Sequence, residues 1–130
     1  MEAARVAALK GHKVSLYEKD SALGGQLKSA ATPDFKSQLR EFARWQIRQL
    51  EILGVDVHLN HEITASSPEL EEADEIIVST GATPLIPNIK GIENAIDIIT
   101  CHTQPEKLKG EKIIYCGGGL SACDSALENA

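Results

Sequence analysis

The stretch MEAARVAALKGHKVSLYEKD, residues 1–20, gives the first indication of the fold. Small apolar residues recur at helical spacing in its first half, and Gly11 stands where a helix is expected to end. The second half has the composition of a strand and closes on acidic residues. A helix, a strand and then an acid form the second half of a dinucleotide-binding βαβ unit, whose first strand and Gly-rich turn would precede Met1.

A second stretch, IIYCGGGLSACDSALE (113–128), reads as strand, Gly-rich turn and helix. Gly117, Gly119 and Ala122 match the G-x-G-x-x-G/A fingerprint in the context that this motif requires. The first glycine makes the turn, the second admits a pyrophosphate, and the alanine lets the helix pack on the strand. The alternative is a Gly-rich turn that binds no ligand.

The segments between these two stretches alternate helix and strand. Apolar spacing predicts a long helix over 34–53 that Gly54 ends, and alternation predicts a half-exposed strand over 55–64. A buried strand is expected at 75–80 and another at 111–116, with an irregular segment between them. Short apolar strands alternating with helices favour an α/β fold with a parallel sheet.

Three further positions carry candidate dinucleotide contacts. Glu18 ends its strand where such folds place the acid that binds a ribose hydroxyl, although a solvated strand-end charge is the alternative. The loop LGGQL follows, where Gly25 lets backbone N–H groups approach a phosphate and Gln26 adds a donor; a plain surface turn explains the glycines equally. Gly81 and Ala82 form a turn of small residues after the strand at 75–80, which is also a common strand end.

Composition excludes several classes of function. The 130 residues carry a net charge of −6 with scattered Lys and Arg, which argues against nucleic-acid and anionic-membrane partners. No apolar run is long enough to span a membrane. The three cysteines form no CxxC pair, which favours reduced thiols and a cytoplasmic location. His58 and His61 are interpreted as surface residues, so no metal site is predicted, and no hydrolytic arrangement stands out.

The order of Glu18, GGQL, LEILGVDVHLNHEIT, STGATP and IYCGGGLSACDSALE resembles the two-dinucleotide flavoproteins. It is most similar to the Old Yellow Enzyme-like NADH:flavin oxidoreductases, the 2-enoate and 2,4-dienoyl-CoA reductase group. The resemblance implies an incomplete Rossmann-like FAD-binding domain, a parallel sheet with a β-meander, plus the start of a second dinucleotide-binding domain. The expected boundaries are 1–84 for the partial FAD-binding domain, 85–110 for a linker or crossover, and 111–130 for the start of the NAD(P)H-binding domain.

The resemblance also implies cofactors and contact residues. FAD and NADH or NADPH are the expected cofactors, and electrons would run from NAD(P)H through FAD toward enoate-type C=C reduction. The FAD contacts implied are Glu18, Lys19, Gly25, Gln26, Arg40, Ile63, Gly81 and Ala82. The NAD(P)H contacts implied are Gly117, Gly118, Gly119, Leu120 and Ala122.

The barrel that carries FMN, an iron–sulfur cluster and the enoate site in that group has no counterpart here. The chain is therefore expected to be an inactive piece of a larger enzyme with poor FAD affinity. Open sheet edges suggest a homo-oligomer, or a strand at 112–116 that fills the vacant position. Two alternatives stay open: a thioredoxin-reductase-like disulfide oxidoreductase, against which the missing CxxC counts, and a non-catalytic nucleotide-binding or assembly module.

Overall fold

The computed structural model of the chain describes residues 1–129. Its α-helices and β-strands over those residues are α1 (Glu2–Leu9), β1 (Ser15–Glu18), α2 (Leu27–Ala30), α3 (Ser37–Ile52), β2 (Asp56–Leu59), α4 (Ile98–Thr103) and α5 (Leu120–Glu128). Single 3₁₀ turns lie at Asp34–Lys36, Pro68–Leu70, Ile92–Asn94 and Pro105–Lys107.

Glycines end the two helices that lead into strands, as the sequence predicts. Gly54 has φ +68°, and its N–H donates to the carbonyl of Glu51 at 3.2 Å. The N–H of Val55 reaches back to the carbonyl of Leu50 at 3.0 Å, which completes a Schellman motif. Gly11, with φ +89°, closes α1 by the same pattern. Only glycine adopts this left-handed backbone without strain, so both helix ends are fixed locally.

The chain folds as two compact units. Unit 1 contains residues 1–25 and 41–81, and unit 2 contains residues 26–40 together with the chain from Ala82 onward. The boundaries predicted at residues 84 and 110 refer to cofactor-binding domains, whereas these two units are defined by compactness. The predicted domain boundaries therefore stay predictions.

Unit 1 is built on a two-stranded parallel sheet. β1 pairs with β2 in the register Leu16 to Val57 and Tyr17 to His58. The fully buried Leu50 of α3 and the buried Val55 form its core. The prediction of a helix, a strand and an α3 crossover to a parallel strand is therefore confirmed.

Three sequence predictions about strands are wrong. Residues 75–80 and 111–116 are in neither strand of the sheet, and no β-meander forms among residues 1–129. Val78 is 77% exposed and Ile114 is 87% exposed, although both were expected to be buried. A strand needs a neighbour for its backbone N–H and C=O groups, and within the described chain these two segments have none. The segment 112–116 therefore fills no vacant position within this chain.

The apolar stripe of α3 is only partly buried. Phe42 is 47% exposed, and Trp45, which lies off the stripe, is 44% exposed. The two rings stack with centroids 5.8 Å apart, and the guanidinium of Arg5 lies 5.3 Å from the Trp45 ring centroid. Cation–π contact of this kind stabilises an exposed indole to a small extent.

Unit 2 packs α2, α4 and α5 together. Helix α4 lies within the segment that the sequence analysis expected to be irregular. Asp97 caps it, because its carboxylate Oδ1 accepts hydrogen bonds from the N–H groups of Ile99 and Thr100, both at 3.0 Å. Thr100 Oγ1 donates to the other oxygen at 2.5 Å. Together these hydrogen bonds hold the pKa of Asp97 below its ordinary value, with the Thr100 hydroxyl the largest cause.

Candidate functional site

The Gly-rich turn before α5 has the geometry of an anion site. Gly117 has φ +133°, a conformation open essentially to glycine alone. Gly119 is the N-cap of α5 and offers no side chain to the helix, so the first-turn N–H groups lack a cap. A Cβ built at Gly117, Gly118 or Gly119 would meet no atom within 4 Å, so the turn is open to a ligand. Leu120 is exposed and Ala122 is half-buried on the first turn of the helix.

A cavity of about 300 Å³ lies in unit 2 beside this helix. Gln26, Thr83, His102, Ser121 and Asp124 are among its lining residues. The Gln26 amide nitrogen donates to the carbonyl of Ala82 at 2.5 Å. Gln26 and Ala82, both predicted to contact FAD, are thus hydrogen-bonded to each other. Gln26 also lines this cavity together with residues of α5, the helix predicted to face NAD(P)H.

An ion pair lies on the wall of this cavity. The Lys36 ammonium donates to the Asp124 carboxylate, and the two side chains are 23% and 26% exposed. Sequence reasoning missed the pair because 88 residues separate its members and nothing local in either segment indicates the other. The pair holds the 3₁₀ turn that precedes α3 against α5.

Arg40 occupies a position that the resemblance did not imply. One terminal nitrogen, Nη1, donates to the carbonyls of Ala31 at 2.5 Å, Thr32 at 3.1 Å and Pro33 at 3.0 Å. The other terminal nitrogen lies 3.6 Å from a carboxylate oxygen of Asp34. The guanidinium therefore braces the turn between α2 and α3, and its contact with a phosphate stays a prediction.

The remaining candidate FAD residues of unit 1 gather near the ends of β1 and β2. Glu18 is half-buried, and its Oε1 accepts the N–H of Asp20 at 3.0 Å. Its backbone carbonyl accepts the N–H of His61 at 2.9 Å, which brings the half-buried Ile63 into the neighbouring loop. Lys19 is exposed beside Glu18. Glu18 is therefore placed at the end of its strand as the sequence predicts.

The glycines of the other two candidate turns adopt left-handed backbone conformations. Gly25 has φ +49° and Gly81 has φ +75°, and both are exposed. A Cβ built at either residue would meet nothing within 4 Å. Both turns therefore leave open space at the backbone, as close approach of a cofactor would require.

His58 and His61 of unit 1 contact an aromatic ring and carboxylates. Tyr17 stacks on His58 with ring centroids 4.6 Å apart and contacts His61 at 5.0 Å. His58 Nε2 lies 3.0 Å from Asp56, and His61 Nε2 lies 2.7 Å from Glu69. No group of three metal-ligating side chains occurs within residues 1–129.

A network around His102 was not foreseen from the sequence. Its Nε2 lies 2.6 Å from Ser125 Oγ, and its Nδ1 lies 2.5 Å from Glu128 Oε2 and 3.1 Å from Thr32 Oγ1. Serine, imidazole and carboxylate are connected as in a hydrolytic triad. Ser125 is completely buried, however, so no substrate reaches its hydroxyl and the network is not nucleophilic.

The cysteines differ in exposure, and all three are free thiols. Cys116 and Cys123 flank the Gly-rich turn and are exposed, whereas Cys101 is buried in α4. Burial raises the pKa of the Cys101 thiol, with the nearby Glu128 carboxylate as a smaller cause. The strand and helix predicted on either side of the turn would bury Cys116 and Cys123 as small apolar residues, and that prediction is wrong because both thiols are exposed. Their exposed thiols can report on ligand binding at the turn. Among the helices of residues 1–129, none combines the length and apolar character needed to cross a bilayer.

The chain is similar to known oxidoreductases over nearly its whole length. Cinnamate reductase of Clostridium sporogenes is 42% identical over 132 residues, which cover 98% of this chain and 19% of that protein. NADH oxidase of Thermoanaerobacter brockii is 35% identical over 133 residues, covering 97% of this chain and 20% of the oxidase. The solved structure of 2-naphthoyl-CoA reductase in complex with 2-naphthoyl-CoA superposes with a TM-score of 0.82 at 31% identity over 96% of this chain and 19% of that one.

The chain spans about a fifth of the length of these relatives. The likeness to the reductase structure supports an incomplete Rossmann-like dinucleotide-binding region that contains helices and a two-stranded parallel sheet. The family description of pyridine nucleotide-disulphide oxidoreductases matches residues 1–130 and supports FAD and NADH or NADPH as cofactors. Because the open Gly-rich turn, the strand-end acid and the match over the full chain agree, the chain belongs to the pyridine nucleotide-disulphide oxidoreductase family.

Proposed function

We propose that the chain is part of a flavin-dependent NAD(P)H oxidoreductase. In this proposal the turn from Gly117 to Ala122 binds the pyrophosphate of NADH or NADPH. The observation that carries it is the open, uncapped N-terminus of α5 behind a glycine with φ +133°. Backbone N–H groups at such an end offer hydrogen bonds and partial positive charge to a phosphate. The nicotinamide cofactor, when bound, supplies a hydride.

FAD is proposed to contact a second set of residues. Glu18 stands at the end of β1 with its Oε1 bonded to the Asp20 N–H, and its carboxylate would bind a ribose hydroxyl. Gly25 and Gln26 would face the flavin–pyrophosphate side, and Gly81 with Ala82 would close over the cofactor. The hydrogen bond from Gln26 to Ala82 supports this grouping, because it holds two of the proposed contacts together.

Two variants on the turn and helix α5 test the nicotinamide site. Gly119 has φ −78°, so an alanine there is compatible with the backbone, yet its methyl group would meet the approaching pyrophosphate. Leu127→Ala is the control, because Leu127 lies near the other end of α5, is 70% exposed and is outside the proposed site. We expect Gly119→Ala to weaken NADH binding by roughly tenfold or more, and Leu127→Ala to change it little.

Alkylation of the exposed thiols gives the readout. NADH should slow the labelling of Cys123 by iodoacetamide, while Cys101 stays unlabelled as an internal standard because it is buried. A labelling rate at Cys123 that is unchanged by saturating NADH or NADPH would contradict the proposal.

The reaction proposed for the longer protein is reduction of a C=C bond conjugated to a carbonyl. Support comes from the relatives, since cinnamate reductase and 2-naphthoyl-CoA reductase are named for conjugated substrates. Anaerobic NADH oxidation should be stimulated by an α,β-unsaturated carboxylate or its CoA ester. Activity with a protein disulfide instead would favour the thioredoxin-reductase-like alternative, and activity with neither would favour the nucleotide-binding module. A cytoplasmic location and a homo-oligomer stay predictions.

A further inference from the structure

His102 joins three segments of unit 2 through one side chain. It lies on α4, and its side chain is only 8% exposed. Its ring contacts Thr32 at the end of the α2 turn, and Ser125 and Glu128 on α5. A buried polar side chain must have its donors and acceptors satisfied, so the direction of each hydrogen bond can be worked out.

The contacts place a proton on Nδ1. Thr32 Oγ1 donates its only proton to the carbonyl of Ser29 at 2.9 Å, so toward His102 it can act only as an acceptor. The Glu128 carboxylate is also an acceptor, which makes Nδ1–H the donor to both groups. With the proton on Nδ1, Nε2 can accept the Ser125 hydroxyl proton at 2.6 Å. This tautomer satisfies all three partners at once.

The hydrogen bonds of His102 hold one side of α5 along the second half of the helix. Ser125 and Glu128 are one turn apart on that helix, and Tyr115 Oη donates to the carbonyl of Ser125 at 3.1 Å from the other side of the Gly-rich turn. The direction in which the first-turn N–H groups of α5 point is thereby set by residues that lie away from that end. Orientation of donors matters because a displacement of about 1 Å can remove most of a binding contribution.

We propose that His102 is a positioning residue for the nicotinamide-dinucleotide site: it aims the N-terminus of α5 at the pyrophosphate without touching the cofactor. The inference rests on the proposed function of the Gly-rich turn. The charged groups around the ring are Glu128 on α5 and the Lys36–Asp124 pair in the shared cavity wall. Cys101, the neighbouring buried thiol on α4, is neutral at physiological pH because its pKa is raised.

Two substitutions separate the role of the donor from that of the ring. His102→Asn retains an N–H donor near the Nδ1 position and so can still reach Glu128 and Thr32, whereas His102→Ala removes every contact. Thr100→Val is the matched control, because it deletes the 2.5 Å hydrogen bond from the Thr100 hydroxyl to Asp97, a bond that involves no residue of α5. We expect His102→Ala to raise the Kd for NADH by roughly tenfold, with His102→Asn recovering most of the loss and Thr100→Val having little effect.

Hydrogen exchange without any cofactor supplies an independent readout. His102→Ala should speed amide exchange along α5 and leave β1 and β2 unchanged, whereas Thr100→Val should affect α4 alone. Unchanged exchange in α5 would overturn the inference whether or not NADH binds. Faster exchange in α5 with an unchanged NADH Kd would overturn positioning while leaving the proposed cofactor site intact. Wild-type protein that does not bind NADH would remove the proposed function and with it the positioning role.

Discussion

Replacement of Arg40 by methionine should destabilise the protein by about 2 kcal/mol, because it leaves backbone carbonyls without a donor. The Arg40 Nη1 has two hydrogens and serves three acceptors, the carbonyls of Ala31, Thr32 and Pro33. Ala31 is 3% exposed, so water cannot replace the lost bond there at no cost. One charged hydrogen bond contributes roughly 1.5–3 kcal/mol, and since the Arg40 side chain is 33% exposed a value near the lower end applies.

Methionine retains most of the aliphatic length of arginine, so the loss should be mainly polar. Arg40→Lys keeps the positive charge but lacks the planar fork, and we expect it to recover less than half of the difference. Arg44→Met on the same helix is the control, because Arg44 is exposed and has no hydrogen bond or ion pair within the described residues. Its effect should lie within about 0.5 kcal/mol of wild type.

Urea unfolding followed by far-UV circular dichroism measures the change. The reasoning requires Arg40→Met to lower the midpoint clearly more than Arg44→Met does, with a similar dependence on urea. If both variants unfold at the same midpoint while Arg40→Met weakens FAD binding, the hydrogen bonds from Arg40 to the turn between α2 and α3 do not contribute to stability. The guanidinium would then be a phosphate ligand, as the family resemblance implies.

Three further outcomes are expected. Gly54→Ala should lower stability by about 1 kcal/mol in urea unfolding, because φ +68° strains any residue with a Cβ even though nothing lies within 4 Å. The hydrogen bond from the Thr100 hydroxyl is the main reason that the pKa of Asp97 lies below its ordinary value, so the charged carboxylate stabilises the fold above pH 3.8. This stabilisation is lost as the pH falls through the lowered pKa. The melting temperatures of wild type and Asp97→Asn should therefore differ above pH 3.8 and converge in acid. In mass spectrometry after brief alkylation, Cys123 should be modified and Cys101 should react only on unfolding, because burial raises the pKa of its thiol.

Features that depend on local sequence could be predicted well. Gly11 and Gly54 end helices because each supplies the left-handed residue of a Schellman motif, and that requirement is readable from the neighbouring residues alone. The Gly-rich turn before α5 is equally local, since the strained backbone at Gly117 belongs to a short motif. Glu18 follows from the same logic, as the last residue of a strand that a helix precedes.

Features that join distant segments could not be predicted. His102 meets Thr32 across 70 residues and Ser125 across 23, and no periodicity in either segment indicates the pairing. Arg40 shows the opposite problem, since its partners are seven to nine residues away but are backbone carbonyls, which every residue carries. The side-chain type therefore suggested an anion ligand, whereas the fold uses the same donors internally.

The two missing strands follow from the same distinction. The apolar segments at 75–80 and 111–116 have the composition of buried strands, yet Ile77 is 66% exposed and Ile114 is 87% exposed. An apolar composition indicates that a segment favours burial. A segment forms a strand, however, only where a neighbouring strand accepts and donates the hydrogen bonds of its backbone N–H and C=O groups. β1 and β2 obtain this from each other through the crossover of α3, whose ends are fixed locally by glycine and by Arg40. Strand formation at 75–80 and 111–116 therefore depends on a pairing partner, and their side chains alone do not produce it.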